Sequence, residues 1–598
     1  MSDLRALTAH RKDSVAGDRW PHLEGGRPPA RSWEKARAIA LLYAVVLGVA
    51  LILLMVTACY GHHPSDDGWL LAYGWRILHG EIPYRDFWWA QPPVTLYTAS
   101  LWLLGPEGWQ YKMARVAFYP ELASVTLLPA SWAMWTGRLR ADVVTLAIIA
   151  SCVALAFHNF PPMPWTTVDG LFFGACALGA FLASLERSSA RAVWRSLSSL
   201  AASLALFSKQ GFAPLPVVLA AYALWEFARE RRLALLGASV LPGAAVTASI
   251  LGWLYVHQAL GPFVSSLRGS GSGAALVKAG VGAFLRPFPA GPVMYAAFAF
   301  LGFRLAGGRG VEPSSFERRF HPTMLAFSLS LAVLGVAMNR QTIGFRVGVG
   351  VFFVGLGAAL RLLSRVRRND RPDPGRVALV FGALLLCWGA SISYGYQTPI
   401  LGIGLLGAAL ISLADTALPR WVKAVVAVSA AATVAATVAD NLQHPYHDRP
   451  RRELTANLGE LYPRFGRLLT NHDHYNMYAE LKQLSAELAT SQGRPFVAMP
   501  NFPLIHFLEN RTSRVQVDWF HPGVMAGRES MLVDELAAAR MVVFMVRDAG
   551  GYVENVPACS EVRRNPDALS ITDAERIIMR DWHFLRQSRY FCIYQSPG

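Results

Sequence analysis

Long apolar runs separated by short polar stretches occupy the first 440 residues of this 598-residue chain. A helix that crosses a bilayer needs about 20 mostly apolar residues. Thirteen runs approach that length, and they predict a polytopic α-helical membrane protein. The predicted spans cover residues 38–59, 111–136, 142–158, 167–185, 195–208, 212–228, 233–256, 290–304, 321–338, 342–363, 376–394, 397–415 and 420–440.

The remaining residues, 441–598, have a different pattern, in which short apolar runs alternate with more polar helical stretches. Such alternation is typical of a small α/β domain. No GxGxxG or Walker motif opens a helix in this part, which argues against a nucleotide site. Strands are predicted over residues 495–499, 515–517, 541–546 and 590–594, and helices over 475–488 and 531–539.

The charge distribution supports this division of the chain. The net charge is +16 and the mean hydropathy is +0.30. All of the excess lies in residues 1–440, which hold 38 Lys and Arg against 22 Asp and Glu, whereas residues 441–598 hold 18 of each. Positive charge between apolar runs is typical of a polytopic membrane protein and not of a DNA-binding protein, so no nucleic-acid partner is expected.

The basic residues also predict the orientation of the chain. If the N-terminal segment is cytoplasmic, alternation of the spans places 28 basic residues on the cytoplasmic side and ten outside, as the positive-inside rule requires. An odd number of spans then places the C-terminal domain outside. The sequence thus predicts a flexible cytoplasmic tail at 1–37, a transmembrane region at 38–440 and an extracytoplasmic α/β domain at 441–598. The tail lacks the apolar segment of a signal peptide.

Six cysteines are spread along the chain without a CxxC motif or a Cys/His cluster, which argues against a thiolate metal site. Cys559 and Cys592 both lie in the predicted extracytoplasmic domain, where a disulfide is permitted. The sequence leaves open whether they are bonded.

The first external loop, at about residues 60–109, is long and rich in polar and aromatic residues, which makes it a functional candidate. Ser65 predicts the N-cap of a helix over 66–79, with Asp66 and Asp67 in its first turn. An ionised carboxylate at the membrane boundary is suited to act as a general base. The alternative is that the two acids only stabilise the start of the helix.

Two further candidates lie on the same side of the membrane. Lys209, followed by Gln210, is a cation at the outer end of the fifth span, where it is suited to bind a lipid phosphate. A lysine that extends toward the interface from a helix end is the alternative. Asp169 begins the fourth span, and a plain interaction with the helix dipole is the favoured explanation of this residue.

The first loop resembles that of the GT-C glycosyltransferases, in particular the bacterial protein O-mannosyltransferase and aminoarabinose transferase group. The external Lys209-Gln210 pair and the C-terminal domain also resemble that group. One departure is that many relatives carry Asp-Glu in place of Asp66-Asp67. The motifs that carry the likeness are Asp66-Asp67, Gly80-x-x-Pro83-Tyr84-Arg85-Asp86-Phe87, Gln91-Pro92-Pro93, Asn501-Phe502-Pro503 and Phe507-Leu508-Glu509-Asn510-Arg511.

The resemblance implies an integral membrane enzyme of the bacterial cytoplasmic membrane. It would move a sugar, with inversion, from a polyprenyl-phosphate donor to an unknown lipid, protein or glycan acceptor on the outer face. Asp66 would be the base, and Asp67 would orient the acceptor or assist a metal. A divalent cation, Mg²⁺ or Mn²⁺, stays open because no spaced DxD motif is present. The other implied positions are Lys209 and Arg85 for the donor phosphate, and Asp86, Gln91, Trp69, Gln210 and Asp169 for the substrates.

A transporter or lipid flippase without transferase activity is the alternative function. Transporters usually consist of two related halves with broken helices at the membrane midplane. The sequence has no matching halves, and an attached external domain is less expected in a carrier. These features favour the transferase.

Overall fold

A computed structural model was used for the whole chain. It describes residues 32–64, 66–157, 162–186, 189–269, 278, 281, 282, 284, 291–306, 342–368, 370, 372–391, 399–414, 419–446, 448–491, 495–499, 502–511, 513, 515–517, 528–546, 559–564 and 573–597.

Helices form most of the described part of the chain up to residue 443. Twelve of the thirteen predicted spans coincide with one of them, and the span predicted at 321–338 lies outside the described residues. The helices are α1 (Ser32–Thr57), α2 (Trp69–Leu78), α3 (Val94–Trp102), α4 (Gln110–Trp135), α5 (Val143–Ala156), α6 (Thr166–Glu186), α7 (Arg191–Ser208), α8 (Pro214–Glu230), α9 (Leu233–Val256), α10 (Leu260–Gly269), α11 (Pro292–Leu305), α12 (Thr342–Arg367), α13 (Pro374–Ser391), α14 (Ile403–Leu413) and α15 (Arg420–Gln443).

The described helices have the length and composition of a multi-pass membrane protein. Seven of them are long and apolar enough to cross a bilayer, and α5, α11 and the segment that ends with α14 are shorter apolar helices. Their buried faces form one large apolar core, whereas α8 and α9 expose large apolar side chains such as Val217 and Leu241. An apolar surface of this kind is suited to lipid, which confirms the predicted fold class.

The helix of the first loop begins later than predicted. The expected helix over 66–79 starts at Trp69, so Asp66 and Asp67 lie in the turn before it and not in its first turn. Gly68 precedes the helix with φ of +79°, and a Cβ there would approach the side chain of Leu504 to 2.6 Å. The left-handed backbone that glycine permits therefore ends the turn and fixes where the helix starts. The predicted cap, Ser65, lies outside the described residues.

The two faces of α2 bury against different parts of the protein. Leu70 and Tyr73 pack into an aromatic cluster of the loop, whereas Leu71 and Trp75 join a core that includes residues of the C-terminal domain. An amphipathic helix is suited to lie flat on a membrane surface, with its second face toward water. In this structure the C-terminal domain covers that second face.

The C-terminal part contains a four-stranded sheet with the strand order β3-β4-β6-β5. β3 and β4 are parallel, and the other neighbours are antiparallel. The elements are β1 (Ala456–Asn457), β2 (Leu469–Thr470), α16 (His472–Ser491), β3 (Phe496–Met499), α17 (Ile505–Leu508), α18 (Glu529–Ala538), β4 (Val542–Val546), α19 (Cys559–Arg564), α20 (Asp573–Asp581), β5 (His583–Gln587) and β6 (Phe591–Gln595).

The strand predicted at 515–517 is not a strand, although the backbone carbonyl of Gln516 accepts a hydrogen bond of 2.7 Å from the amide of Trp88 in the first loop. β5 was not predicted, because this largely exposed edge strand lacks an apolar run. A disulfide joins Cys559 in α19 to Cys592 in β6, with 5.7 Å between the Cα atoms.

The C-terminal domain is joined to the first loop by backbone hydrogen bonds. The amide of Leu469 donates to the carbonyl of Cys59, and the amide of Gly61 donates to the carbonyl of Leu469. Arg464 adds a second junction, since it donates to the carbonyl of Phe507 and its guanidinium lies 4.1 Å from the ring of Trp75. The loop and the C-terminal domain therefore lie at the same end of the helical bundle.

Candidate active site

The two adjacent acids of the first loop have opposite environments. The side chain of Asp66 is 24% exposed and that of Asp67 only 1%. Asp66 Oδ2 accepts a hydrogen bond of 2.8 Å from the hydroxyl of Tyr446, and it lies 3.5 Å from His63 Nδ1. Of the pair, Asp66 is the carboxylate that a substrate can reach.

Asp67 is instead part of a buried ion pair. Its Oδ2 lies 2.9 Å from Arg115 Nη2 and accepts a hydrogen bond from the amide of His63. Burial raises the pKa of Asp67, and the charge of Arg115 opposes that rise. Oδ1 of Asp67 is buried without a hydrogen-bond partner among the described residues. The geometry gives Asp67 a structural role in the loop.

Arg115 holds the end of the first membrane helix to the loop. It lies in the second turn of α4 and donates hydrogen bonds to the backbone carbonyls of Tyr60 and Gly61 at 3.1 and 2.6 Å. It also reaches the carbonyls of Thr57 and Ala58 at 3.3 and 3.4 Å. The last carbonyls of a helix lack intrahelical partners, and a cation near them is favourable.

His62 connects the same loop to the C-terminal domain. Its ring nitrogens lie 3.1 Å from the hydroxyl of Tyr111 in α4 and 2.8 Å from that of Tyr478 in α16. Burial, followed by the charges of His474 and Arg115, holds the pKa of His62 well below 6.5. A neutral imidazole can donate at one nitrogen and accept at the other, which suits a position between two hydroxyls.

Asp448 completes this connection from the C-terminal side. Its Oδ2 accepts from the amide of His62 at 2.9 Å and from the hydroxyl of Thr470 at 2.8 Å, and its Oδ1 accepts from Asn471. Burial raises its pKa, but hydrogen bonds from His474 and Asn471 outweigh burial and lower the pKa on balance. An ionised Asp448 thus ties the C-terminal domain to the acidic loop.

Lys209 lies in a second polar centre among the helix ends. Its side chain is 1% exposed, and Nζ donates to the hydroxyl of Thr167 and to the carbonyl of Ala390, both at 2.9 Å. Asp169, two residues after Thr167 in α6, accepts a hydrogen bond of 2.6 Å from the hydroxyl of Thr98. Gln210, which follows Lys209, has a buried Oε1 without a partner among the described residues. The centre therefore brings Lys209, Gln210 and Asp169 to one end of α6.

Helix α4 joins the two centres. Arg115 contacts Asp67, and the carboxyl of Glu121, six residues later, lies beside that of Asp169. A rise of 1.5 Å per residue separates positions 115 and 121 by about 9 Å along the helix axis. The contact of α4 with the acidic loop and its contact with the centre around Lys209 are thus about 9 Å apart along the axis of this helix.

The motif from Gly80 to Phe87 folds into a compact turn. The amide of Tyr84, at φ of +69°, donates to the carbonyl of Phe87, and Asp86 Oδ2 accepts from the amide of Ile82. Arg85 is exposed and paired with Asp86 at 2.7 Å, and this hydrogen bond lowers the pKa of Asp86. Among the described contacts, none joins Arg85 to Asp66 or Lys209.

Trp69 is the first residue of α2, and Gln91 follows the turn. The backbone carbonyl of Gln91 accepts from the hydroxyl of Tyr84, and its side-chain Oε1 is buried without a partner among the described residues. Trp69 is stacked on Trp89 with ring centroids 5.0 Å apart, so part of its ring face is already covered.

The acidic pair does not fit a shared divalent cation. Asp67 is already neutralised by Arg115, and Asp66 contacts the hydroxyl of Tyr446 and the ring of His63. In the described part of the chain, no group of three or more His, Cys, Asp or Glu side chains is arranged to hold a metal ion.

Comparisons with known proteins give structural similarity without sequence similarity. No family model and no curated protein matches the sequence. The archaeal oligosaccharyltransferase AglB of Archaeoglobus fulgidus is 13% identical over 84% of this chain and 69% of its own, with a TM-score of 0.41. ArnT of Cupriavidus metallidurans, an aminoarabinose transferase, is 13% identical over 94% of this chain and 98% of its own, with a TM-score of 0.40.

The same ArnT was also solved with undecaprenyl phosphate bound. That structure is 12% identical over 93% of this chain and 97% of its own, with a TM-score of 0.35. These similarities concern the fold, and the assignment of roles to residues rests on the contacts described above.

The structure adds residues that the sequence did not single out. Arg115 is one of the ten basic residues predicted to lie outside, and Tyr446, His62, Asp448 and Glu121 are not among the predicted candidates. Tyr446 and Asp66 are 380 positions apart, and no local pattern indicates their contact. The one available signal was the position of Arg115 and Glu121 in an otherwise apolar predicted span, where charged side chains usually have partners.

Proposed function

We propose that the chain is an inverting membrane glycosyltransferase that moves a sugar from a polyprenyl-phosphate donor to an acceptor on the outer face of the cytoplasmic membrane. The observation that carries the proposal is the difference in exposure and pairing between the two adjacent acids. Asp67 is locked to Arg115, and the adjacent Asp66 keeps a partly exposed carboxylate at the end of the helical bundle. A base in this place can meet a lipid-linked donor and an acceptor from outside.

The reaction follows from these groups. The acceptor oxygen or nitrogen attacks the anomeric carbon of the donor sugar, and its proton passes to Asp66. The bond between the anomeric carbon and the phosphate oxygen breaks, and polyprenyl phosphate leaves with that electron pair. General-base assistance of this kind is worth about 10² to 10⁴ in rate.

Lys209 stabilises the leaving phosphate. An ammonium group has three N–H donors, and two of those on Lys209 are used by Thr167 and Ala390. The third is available for a phosphate oxygen, whose negative charge grows as the sugar bond breaks. A cation in a buried site is worth more to such a charge than the same cation in water. Arg85 lies on an exposed turn, so its part is to attract the anionic donor.

The remaining candidate residues have supporting roles. Asp169 and Gln210 accompany Lys209 at the end of α6. Asp86 in the turn at 80–87, Gln91 after that turn and Trp69 at the start of α2 support the loop on which Asp66 lies. Asp67 positions this loop through Arg115 and takes no part in the proton transfer.

The deciding experiment uses the full-length protein in lipid nanodiscs with a panel of polyprenyl-phosphate-linked sugars. Release of polyprenyl phosphate is measured with and without a mixture of candidate acceptors. One donor is expected to be consumed faster when an acceptor is added, and Asp66→Asn is expected to remove that activity. If no donor in the panel is consumed, the proposal fails and the transporter alternative is favoured.

A further inference from the structure

The carboxylate of Asp66 is held at one of its two oxygens. Oδ2 accepts a hydrogen bond of 2.8 Å from the hydroxyl of Tyr446, whereas Oδ1 accepts none from any residue that the structure describes. The side chain of Asp66 is also partly exposed, at 24%. Oδ1 is therefore the oxygen that is free to take a proton from an acceptor.

His63, the other neighbour of this carboxylate, does not hold it in the same way. Its Nδ1 lies 3.5 Å from Asp66 Oδ2, but it accepts a hydrogen bond of 3.1 Å from the backbone amide of Asp66. A ring nitrogen that accepts carries no proton while the imidazole is neutral, so it cannot donate to the carboxylate. The imidazole instead packs edge-on against the ring of Tyr446, with centroids 6.1 Å apart. Among the described residues, the hydroxyl of Tyr446 is thus the donor that orients Asp66.

The position of Tyr446 is set by the segment that leads from α15 into the C-terminal domain. Pro445 packs against Gly61, where an added Cβ would lie only 2.8 Å from the Cβ of Pro445. Asp448 accepts a hydrogen bond of 2.9 Å from the amide of His62, and its own amide donates to the carbonyl of Pro445. These contacts lie on both sides of Tyr446 along the chain, so its backbone is fixed against the first loop.

A carboxylate that acts as a base needs such an anchor. The last torsion of an aspartate side chain is broad, so a carboxylate without a partner adopts many orientations. A general base must lie within about 2.6 to 3.2 Å of the atom that loses the proton. A misplacement of about 1 Å can cost about 10²-fold in rate. Hydrogen bonds to an ionised acceptor are stronger than neutral ones, which makes a phenol on Oδ2 an effective anchor.

We propose that Tyr446 is a positioning residue for sugar transfer, whose hydroxyl holds Asp66 Oδ2 so that Oδ1 faces the acceptor. This inference rests on the proposed function, in which Asp66 is the base. Oδ1 takes the proton of the acceptor as the bond from the acceptor to the anomeric carbon forms, and Tyr446 keeps its own proton throughout. The segment after the last membrane helix thereby sets the direction of a base in the first loop.

The test removes the hydroxyl alone, by Tyr446→Phe in the full-length protein in lipid nanodiscs. Tyr60→Phe is the matched control, because Tyr60 lies in the same loop as Asp66 and its hydroxyl has no hydrogen-bond partner among the described residues. Release of polyprenyl phosphate is measured with the polyprenyl-phosphate-linked sugar and the acceptor that the wild type uses fastest. The unfolding midpoint is measured on the same samples.

For Y446F, we expect kcat for transfer to fall by about tenfold, while the KM values for donor and acceptor stay within about twofold of those of the wild type. The unfolding midpoint should change little, since phenylalanine keeps the ring. Y60F should leave all of these quantities unchanged. An unchanged kcat in Y446F, or an equal fall in Y60F, overturns the inference.

A double variant shows whether Tyr446 acts through Asp66, and it also answers the question if Y446F lowers the unfolding midpoint. Asp66→Asn leaves no base to orient, so adding Tyr446→Phe should change its remaining rate by less than about twofold. A further loss of about tenfold in D66N/Y446F would mean that Tyr446 acts independently of Asp66, and it overturns the inference. If the wild type consumes no donor, the proposed function itself has failed and the inference falls with it.

Discussion

Arg115 Nη2 and Asp67 Oδ2 lie 2.9 Å apart in an ion pair whose two side chains are almost completely buried. The same guanidinium donates to backbone carbonyls at the end of α1, so one residue of α4 fixes the first membrane helix, the acidic turn and the start of α2 relative to each other. Removing one partner of such a pair leaves a buried charge without compensation, which is far more costly than removing both.

The first prediction concerns stability. Asp67→Asn should lower the free energy of unfolding by about 3 to 5 kcal/mol, because the charge of Arg115 is then buried alone. Thermal and denaturant unfolding of the purified protein in detergent measures this loss. The double variant Asp67→Asn/Arg115→Met should lose less than the sum of the two single variants. A D67N protein as stable as the wild type would show that the ion pair does not contribute to the free energy of unfolding.

The second prediction separates catalysis from stability at the neighbouring position. Asp66→Asn should lower the transfer rate by about 10² to 10⁴ while the unfolding midpoint stays close to that of the wild type. The reason is that Asp66 is partly exposed and its contact with Tyr446 can be kept by the amide oxygen. Full activity in this variant would remove Asp66 from the role of base, and a large loss of stability would assign it a structural role instead.

The sequence predicted the positions of the described helices well because the length and apolar composition of a run are local properties. The orientation of these helices in the membrane stays a prediction. The sequence also placed Asp66, Asp67, Lys209 and Asp169 at the same end of the helices. It did not distinguish the roles of the two acids, because their difference depends on Arg115, 48 positions away from Asp67, and on Tyr446, 380 positions away from Asp66.

The start of α2 shows the same limit on a smaller scale. Asp66 and Asp67 are good residues for a first helical turn, so the pattern predicted a helix that begins there. The helix begins at Trp69 because Gly68 is packed against Leu504 of the C-terminal domain in a left-handed conformation. A contact with a distant segment thus overrides the local preference.

The third prediction concerns the donor. Lys209→Met, which keeps the length of the side chain and removes its charge, should lower kcat/KM for the polyprenyl-phosphate donor by about tenfold, roughly 1.4 kcal/mol of transition-state stabilisation. The KM for the acceptor should change little, because the lysine lies in a separate centre. Lys112→Met is the matched control, since this lysine lies beside the ring of Trp109 at the start of α4. Equal effects of the two variants would refute a phosphate role for Lys209.

The fourth prediction concerns the pH dependence of stability. The pKa of His62 is held well below 6.5 in the folded protein, first by burial and then by the charges of His474 and Arg115. In the unfolded chain, His62 binds a proton near pH 6.5. Below that pH the unfolded state binds more protons than the folded state, so stability falls as the pH is lowered.

The measurement compares unfolding of the wild type and of His62→Gln at pH 7.5 and 5.5. The wild type should lose about 1.4 kcal/mol more than the variant over this interval, since glutamine keeps a donor and an acceptor but does not titrate. Asp67, whose pKa is raised, acts in the opposite direction, but it is present in both proteins and its effect cancels in the comparison. Equal losses in the two proteins would contradict the prediction.

The last prediction concerns orientation. An alkaline phosphatase fused after Gly598 should be active, because the C-terminal domain is expected on the outer side, where the disulfide between Cys559 and Cys592 also forms readily. The control is a fusion after Arg368, which follows α12 and lies in a strongly basic connection predicted to be cytoplasmic. This second fusion should be inactive, since the phosphatase folds only outside the cytoplasm. Activity of the Arg368 fusion together with inactivity of the Gly598 fusion would invert the topology and place Asp66 on the cytoplasmic side, where a donor presented at the outer face cannot reach it.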